Sequence, residues 1–226
     1  MRHLFLAFAL CGMFGSCGGS KEEARKSEPV ARPQSPGIEK ETDARPVIVA
    51  FGDSLSAGFG LEPGQSYPDY LQRKLDDAGY SYHVISEALS GDTSSGGVTR
   101  VESVLGHKPA IVILELGAND GLRGIPVAQT RENLDLIIEQ LKGGGAKVLL
   151  AGITLPRNYG TDYIRDFDRI YPELAKKHDV RLLPFLLEGV ALNPKLMQRD
   201  ALHPTAEGCE VVAGNVLSAL KPMLRK

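Results

Sequence analysis

An α/β sandwich on a mainly parallel sheet is the fold class this sequence predicts. The prediction rests on apolar runs that do not alternate, helical patterns between them, and polar clusters that follow the runs. The first run is Val47-Ile48-Val49-Ala50-Phe51. A shorter one, Tyr82-His83-Val84-Ile85, comes second, and Ile111-Val112-Ile113-Leu114 and Val148-Leu149-Leu150-Ala151 follow. Arg181-Leu182-Leu183 is a weaker fifth. Continuous apolar runs of this kind fit strands covered on both faces, as in a parallel sheet flanked by helices.

Helical spacing fills the gaps. Tyr67 to Ala78 carries Tyr67, Tyr70, Leu71 and Leu75 on one face, and Gly79 stands ready to stop it. Gly97 to Leu105 presents Val98, Val101, Val104 and Leu105. Thr130 to Leu141 presents Leu134, Ile137, Ile138 and Leu141 before three glycines. Tyr163 to His178 is periodic but contains Pro172, which is expected to kink or divide it. Ala206 to Leu220 closes the chain. Strand and helix thus alternate from residue 46 to the end, with no internal repeat.

The N-terminus reads differently. Arg2 and His3 precede an apolar run from Leu4 to Leu10 that continues with interruptions to Phe14, too short for a permanent membrane span. Phe14-Gly15-Ser16-Cys17 resembles a bacterial lipobox, with Phe14 where leucine is usual. Residues 1–16 are therefore expected to be a lipoprotein-type signal peptide and Cys17 the lipidated residue, anchoring the protein to a membrane of the bacterial cell envelope. An ordinary signal peptide, leaving a soluble periplasmic or secreted protein, is the alternative. Residues 17–45 are polar and rich in Lys, Glu, Ser, Pro and Arg, so they are expected to form a disordered tether before a domain at 46–226. With Cys11 removed and Cys17 lipidated, Cys209 is left without a partner, and a buried core thiol is expected rather than a disulfide.

Hydrophobic residues make up 42% of the chain, enough for the core of one domain. The formal net charge is -2 and no Lys/Arg stripe is present, so a nucleic-acid partner is not expected.

Ligands on parallel sheets bind beyond the C-terminal strand ends. Gly52-Asp53-Ser54, Ser90-Gly91-Asp92, Gly117-Ala118-Asn119-Asp120 and Asp200-Ala201-Leu202-His203 all fall there. They supply a serine, a histidine and an acid. A serine hydroxyl becomes a nucleophile when an imidazole takes its proton and an acid orients that imidazole. Ser54 is the candidate nucleophile, His203 the base, and Asp200 the orienting acid, three residues away on the same turn. Taken alone, Ser54 reads as a helix N-cap and His203-Pro204 as a helix start with Pro204 in its first turn. Ser54 is not in the Gly-x-Ser-x-Gly elbow of α/β-hydrolases. Asn119 and Gly91 offer an amide and an unobstructed backbone N–H to an oxyanion, although both are also ordinary turn residues.

A metal centre competes, because Asp53, Asp92, Asp120, Asp200 and His203 gather at one edge. One histidine without a His-x-x-x-His or Asp-x-His pairing is a thin ligand set, so no metal is expected. The glycines from Gly52 to Gly60 lack both the Gly-Lys-Ser/Thr ending and the dinucleotide spacing, and no cofactor is expected either.

Together these residues resemble the GDSL, or SGNH, hydrolase family, with Ser54, Gly91, Asn119 and His203 in its four blocks and in its order. Glu115 to Gly124 and Leu155 to Gly160 look like segments of the bacterial arylesterase, acyl-CoA thioesterase and lysophospholipase branch. The resemblance spans about Pro46 to Leu220. It implies a flavodoxin-like three-layer α/β/α fold with a five-stranded sheet, and metal-free ester hydrolysis through an acyl-enzyme. It also implies an oxyanion hole formed by the N–H groups of Ser54 and Gly91 with the Asn119 side chain. A mobile loop maps to Gly121–Pro126, whose Leu122 and Ile125 would line an acyl groove with Leu155 and Pro156. The implied substrate is a small acyl ester or lysophospholipid. A glycan O-acetyl esterase and a lipoprotein that only binds a ligand are the competing functions.

Overall fold

The computed structural model describes residues 43–226. The expected signal peptide, Cys17 and the tether as far as residue 42 lie outside the described residues.

Five strands form one sheet: β1 (Val47–Gly52), β2 (His83–Ala88), β3 (Ile111–Glu115), β4 (Lys147–Ala151) and β5 (Arg181–Leu183). Their order is β2-β1-β3-β4-β5 and every pairing is parallel. The centre of the sheet is almost wholly apolar. Ile48 to Phe51 on β1 and Val112 to Leu114 on β3 have no exposed surface. The two runs that are weakest in the sequence, β2 and β5, are the two edge strands. An edge strand is covered less completely, so it carries a weaker apolar signature.

Among the described residues eight α-helices connect and cover the strands. They are α1 (Ser54–Ala57), α2 (Tyr67–Asp77), α3 (Ser94–Gly106), α4 (Ala118–Leu122), α5 (Val127–Gly143), α6 (Thr161–Asp168), α7 (Ile170–His178) and α8 (Ala206–Leu220). Helix α2 packs with α8, and α5 packs with both α3 and α7, giving helical layers on either side of the sheet. Local chemistry sets their ends. Ser66 and Asp69 form a reciprocal capping box at α2, and Thr93 and Thr205 cap α3 and α8. Leu71 and Leu75 of α2 and Leu134, Ile137, Ile138 and Leu141 of α5 point fully into the core. Cys209 on α8 is buried and free, and burial pushes its thiol up to about 11.

Three expectations need adjusting. The second strand starts at His83 rather than Tyr82 and runs on to Ala88. The periodic stretch before β5 divides, one of the two outcomes expected, but at Arg169, three residues before Pro172. Pro172 has no N–H to give to the carbonyl four residues back, at Asp168, so the helix is already interrupted there. Finally, Pro204 is not in the first turn of α8. Thr205 is the cap, and Pro204 lies before it in an isolated bridge with Met197.

The sheet order reverses between β1 and β3, because β1 leads outward to β2 and β3 leads the other way to β4 and β5. Connections leaving β1 and β3 diverge at that point and open a crevice beyond the C-terminal strand ends.

Candidate active site

Ser54 is held at this crevice by the end of β1. The cap of α1 is Asp53, whose Oδ1 accepts the Leu55 N–H at 3.0 Å, so Ser54 is the first helical residue and not the cap. Its side chain is free to bond elsewhere. Ser54 Oγ lies 2.9 Å from His203 Nε2, and His203 Nδ1 lies 2.6 Å from Asp200 Oδ2. The three residues therefore form one continuous hydrogen-bonded line.

The Asp200–His203 turn is built to hold that line. Asp200 Oδ1 accepts the backbone N–H groups of Leu202 and His203 at 3.0 and 3.1 Å, and Ala201 is driven into the left-handed region at φ +56°. An L-residue there costs on the order of 1–2 kcal/mol. Burial pushes the Asp200 carboxyl up, but the His203 ring and the two N–H donors outweigh it and hold it below the ordinary range. Gln198 clasps the turn to the other half of the site. Its Nε2 donates to the carbonyls of Phe59 at 2.7 Å and Pro204 at 2.9 Å.

Asn119 is the second residue of α4, directly beyond β3. Its Nδ2 donates to Asp53 Oδ2 at 3.0 Å, which ties the amide to the residue before Ser54. Gly91 adopts φ +82°, and Arg123 Nη2 donates to its carbonyl at 2.8 Å. The Leu89 N–H bonds the carbonyl of Gly52 at 3.1 Å, which seats the Gly91 turn against the end of β1.

The expected groove residues are placed unequally. Leu122 and Ile125 are half-buried, and their carbonyls accept from the hydroxyls of Tyr159 at 3.0 Å and Tyr163 at 2.7 Å. Pro156 is exposed. Leu155 is buried and packs on Gly121, where an added Cβ would stand 2.4 Å from Leu155 Cδ2. It supports α4 from beneath rather than presenting open surface.

The carboxylates that gather at this edge each have partners of their own. Asp92 pairs with Arg100, and Asp120 accepts from Ser94 N at 2.8 Å and Ser94 Oγ at 2.5 Å. Asp53 is bonded to Leu55 and Asn119, and Asp200 to His203. Among the described residues no group of three or more His, Cys, Asp or Glu is arranged to hold a metal ion.

Two features escaped the sequence reading. Glu115, the last residue of β3, is fully buried beneath Asp53 and Ser56. Its signal was a lone acid inside an apolar stretch. Phe59, Leu89 and Leu202 are exposed apolar side chains that lie a few residues in sequence from Ser54, Gly91 and His203. The Phe59 ring centroid is 4.6 Å from that of His203.

A hydrogen-bonded Ser-His-Asp line at the C-terminal edge of a parallel sheet is the side-chain equipment of a hydrolase. The model of the GDSL-like lipase/acylhydrolase family matches residues 50–211. Esterase TesA of Pseudomonas aeruginosa is 44% identical over 182 residues, covering 80% of this chain and 90% of that protein. Thioesterase 1/protease 1/lysophospholipase L1 of Escherichia coli K12 is 40% identical over 182 residues, with 80% and 86% covered. Among solved structures, the psychrotrophic esterase EstA from Pseudoalteromonas sp., inhibited by monoethylphosphonate, superposes with a TM-score of 0.75 at 31% identity. The match covers 78% of this chain and 97% of that one. The chain belongs to the GDSL-like lipase/acylhydrolase family and is a carboxylic ester hydrolase. Family membership displaces the reading of a protein that only binds a ligand.

Proposed function

We propose that this chain is a serine esterase of broad acyl specificity, acting on carboxylic esters, thioesters and lysophospholipids. The observation that carries the reading is the unbroken Ser54–His203–Asp200 line, at 2.9 and 2.6 Å. Ser54 Oγ attacks the acyl carbonyl as His203 Nε2 takes its proton. Asp200 fixes the ring with Nδ1–H toward itself and stabilises the imidazolium that forms. The N–H groups of Ser54 and Gly91 and the Asn119 amide receive the oxyanion. His203 then protonates the leaving alcohol or thiol, and the acyl group stays on Ser54. Water, deprotonated by the same imidazole, releases it as a carboxylic acid.

The printed names of the relatives support the substrate range, since they are called esterase, thioesterase and lysophospholipase. Exposed apolar side chains next to the site residues in sequence, Phe59, Leu89 and Leu202, support an acyl chain rather than a polar glycan. The inhibition of EstA by a phosphonate, a tetrahedral group, supports a reaction through a tetrahedral intermediate here.

The test is hydrolysis of p-nitrophenyl esters from acetate to palmitate by the chain and by its Ser54→Ala variant, with a phosphonate ester as a mass label. Turnover on medium or long chains, lost in the variant together with the label, is the expected outcome. Turnover by folded Ser54→Ala would overturn the mechanism, and activity confined to acetate would favour glycan O-acetyl ester hydrolysis.

Lipidation of Cys17, with residues 17–45 as a tether from the envelope membrane to a domain at 46–226, is the arrangement proposed for the cell. Mass spectrometry of the mature N-terminus and fractionation of a Cys17→Ala variant test it. A soluble wild-type protein cleaved at another site would overturn it.

A further inference from the structure

Glu115 is a buried acid to which the mechanism above gives no work. It has no exposed surface. Its Oε2 accepts from Ser56 Oγ at 2.8 Å and from Asp53 N at 3.3 Å, and Tyr67 OH lies 3.1 Å from Ser56 Oγ. Its Oε1 is buried and receives no donor. Asp53, whose backbone N–H bonds Glu115 Oε2, also brings its carboxyl to bear on Glu115, and that carboxyl offers acceptor oxygens only. A buried carboxylate oxygen without a donor is expensive, and two adjoining buried carboxylates are more so. Placing one proton between them removes both penalties, because the orphaned oxygen becomes an O–H donor and the partner its acceptor.

Asp53 is fixed on its other sides. Its Oδ1 takes the Leu55 N–H and its Oδ2 takes one N–H of the Asn119 amide. Asn119 has a single second N–H left, and the direction of that bond is set by where Asp53 holds the first. There is no slack behind the pair. A Cβ at Gly52 would stand 2.5 Å from Glu115 Oε2 and 2.2 Å from Ser56 Oγ.

We propose that Glu115 is a positioning residue, which carries the proton shared with Asp53 and thereby keeps the Asp53 carboxylate locked on the Asn119 amide, aiming the remaining N–H at the oxyanion. This rests on the reading of Asn119 as an oxyanion donor. The electrostatics agree on which partner holds the proton. Burial, then the Asp53 charge, raise Glu115 well above the ordinary carboxylate range. Burial also raises Asp53, but the Leu55 and Asn119 donors, the nearby His203 and Glu115 itself limit it to about 6. The hydroxyls of Tyr67 and Tyr171, both buried, are raised by that burial and then by the charges of Glu115 and Asp53.

The experiment compares Glu115→Gln, Glu115→Leu and Asn119→Ala, singly and with each Glu115 variant combined with Asn119→Ala, in the full chain. Gln restores a neutral donor toward Asp53, whereas Leu does not. Glu115→Leu is expected to lower kcat by about 10- to 100-fold, approaching the loss of an oxyanion donor, with KM little changed. Glu115→Gln is expected to stay within about threefold of the wild type and to leave the acid limb of its pH profile in place. In the Asn119→Ala background, Glu115→Leu is expected to cost little more. Infrared spectra at neutral pH are expected to contain a protonated carboxylic-acid band that Glu115→Gln removes, a readout that stands even if Glu115→Leu does not fold. Absence of that band, a Gln variant as impaired as Leu, or additive losses with Asn119→Ala would overturn the proposal. Full activity of Asn119→Ala would instead overturn the reading of the oxyanion hole, which separates the two failures.

Discussion

Phe59 leans its ring on the His203 imidazole, with centroids 4.6 Å apart and planes inclined at 36°, while half of its own surface faces solvent. One side chain thus packs on the proposed base and leaves apolar surface open beside it. Ring pairs of this kind contribute about 0.5–1.5 kcal/mol. Phe59→Ala is expected to lower kcat/KM roughly 2- to 10-fold on acetate by that energy, and further as the acyl chain lengthens. A p-nitrophenyl ester series measures both parts.

Asp200 carries a stability that depends on pH in a defined direction. Its carboxyl is held below the ordinary value of 3.8 in spite of burial, by the His203 ring and two backbone N–H groups. A lowered carboxyl stabilises the fold above its unfolded value, and that contribution is lost as pH falls through the folded one. Asp200→Asn is therefore expected to unfold more readily than the wild type at neutral pH and to converge on it below about pH 4. Its kcat is expected to fall by about 10⁴-fold, because the amide no longer fixes the imidazole tautomer. Urea unfolding at several pH values, beside kinetics, checks both.

Asp53 has the opposite sign. Burial raises it from 3.8 to about 6, so the fold favours its protonated form. That benefit is complete below the unfolded value and is lost as pH rises through about 6. Between about pH 4 and pH 7, Asp53→Asn is expected to gain on the order of 2 kcal/mol of unfolding free energy relative to the wild type. It is also expected to lose activity, since its amide turns a donor toward the donor of Asn119. Stability traded for function at one residue would appear as a higher Tm beside a lower kcat.

Asp120 ties the segment that follows Gly91 to the one that carries Asn119. It is fully buried and binds Ser94, at the start of α3 just after the Gly91 turn, and Thr130 on α5, while its neighbour is Asn119. Asp120→Ala would leave the Ser94 N–H and the Ser94 and Thr130 hydroxyls without this acceptor. A destabilisation of about 2–4 kcal/mol is expected, with a fall in kcat, measurable by chemical unfolding and kinetics.

Much of this architecture was legible in the chain. The central strands β1, β3 and β4 announced themselves as apolar runs because both of their faces are covered, the edge strands β2 and β5 did so more weakly, and the polar clusters were visible as interruptions placed after those runs. Ser54, Asp200 and His203 could be paired from residue chemistry alone, and the structure brings all three together. What escaped has physical reasons. Helices α1 and α4 are a single turn each, too short to display periodicity. Phe59 sits between two glycines in a segment with no pattern, and its contact with His203 is made across most of the domain's length. Glu115 ends an apolar strand, and nothing local reveals that Asp53 and Ser56 will enclose it. The division at Arg169 follows from an absent N–H at Pro172, which marks a break earlier than the proline itself.

Ser54 and Asn119 are mounted on the ends of central strands, but Asp200 and His203 ride on chain that has left the sheet after β5 and is clasped back by Gln198. The proposed nucleophile therefore shares the cohesion of the sheet, and the proposed base that of an irregular segment. In graded guanidinium, catalysis is expected to vanish before the sheet does, and to return on dilution without refolding. Heat tolerance of activity and heat tolerance of the fold are then separate traits in this enzyme. Substitutions at exposed positions of this segment, such as Leu192 and Lys195, offer a way to retune its working temperature without disturbing Leu186 and Val190, which belong to the core.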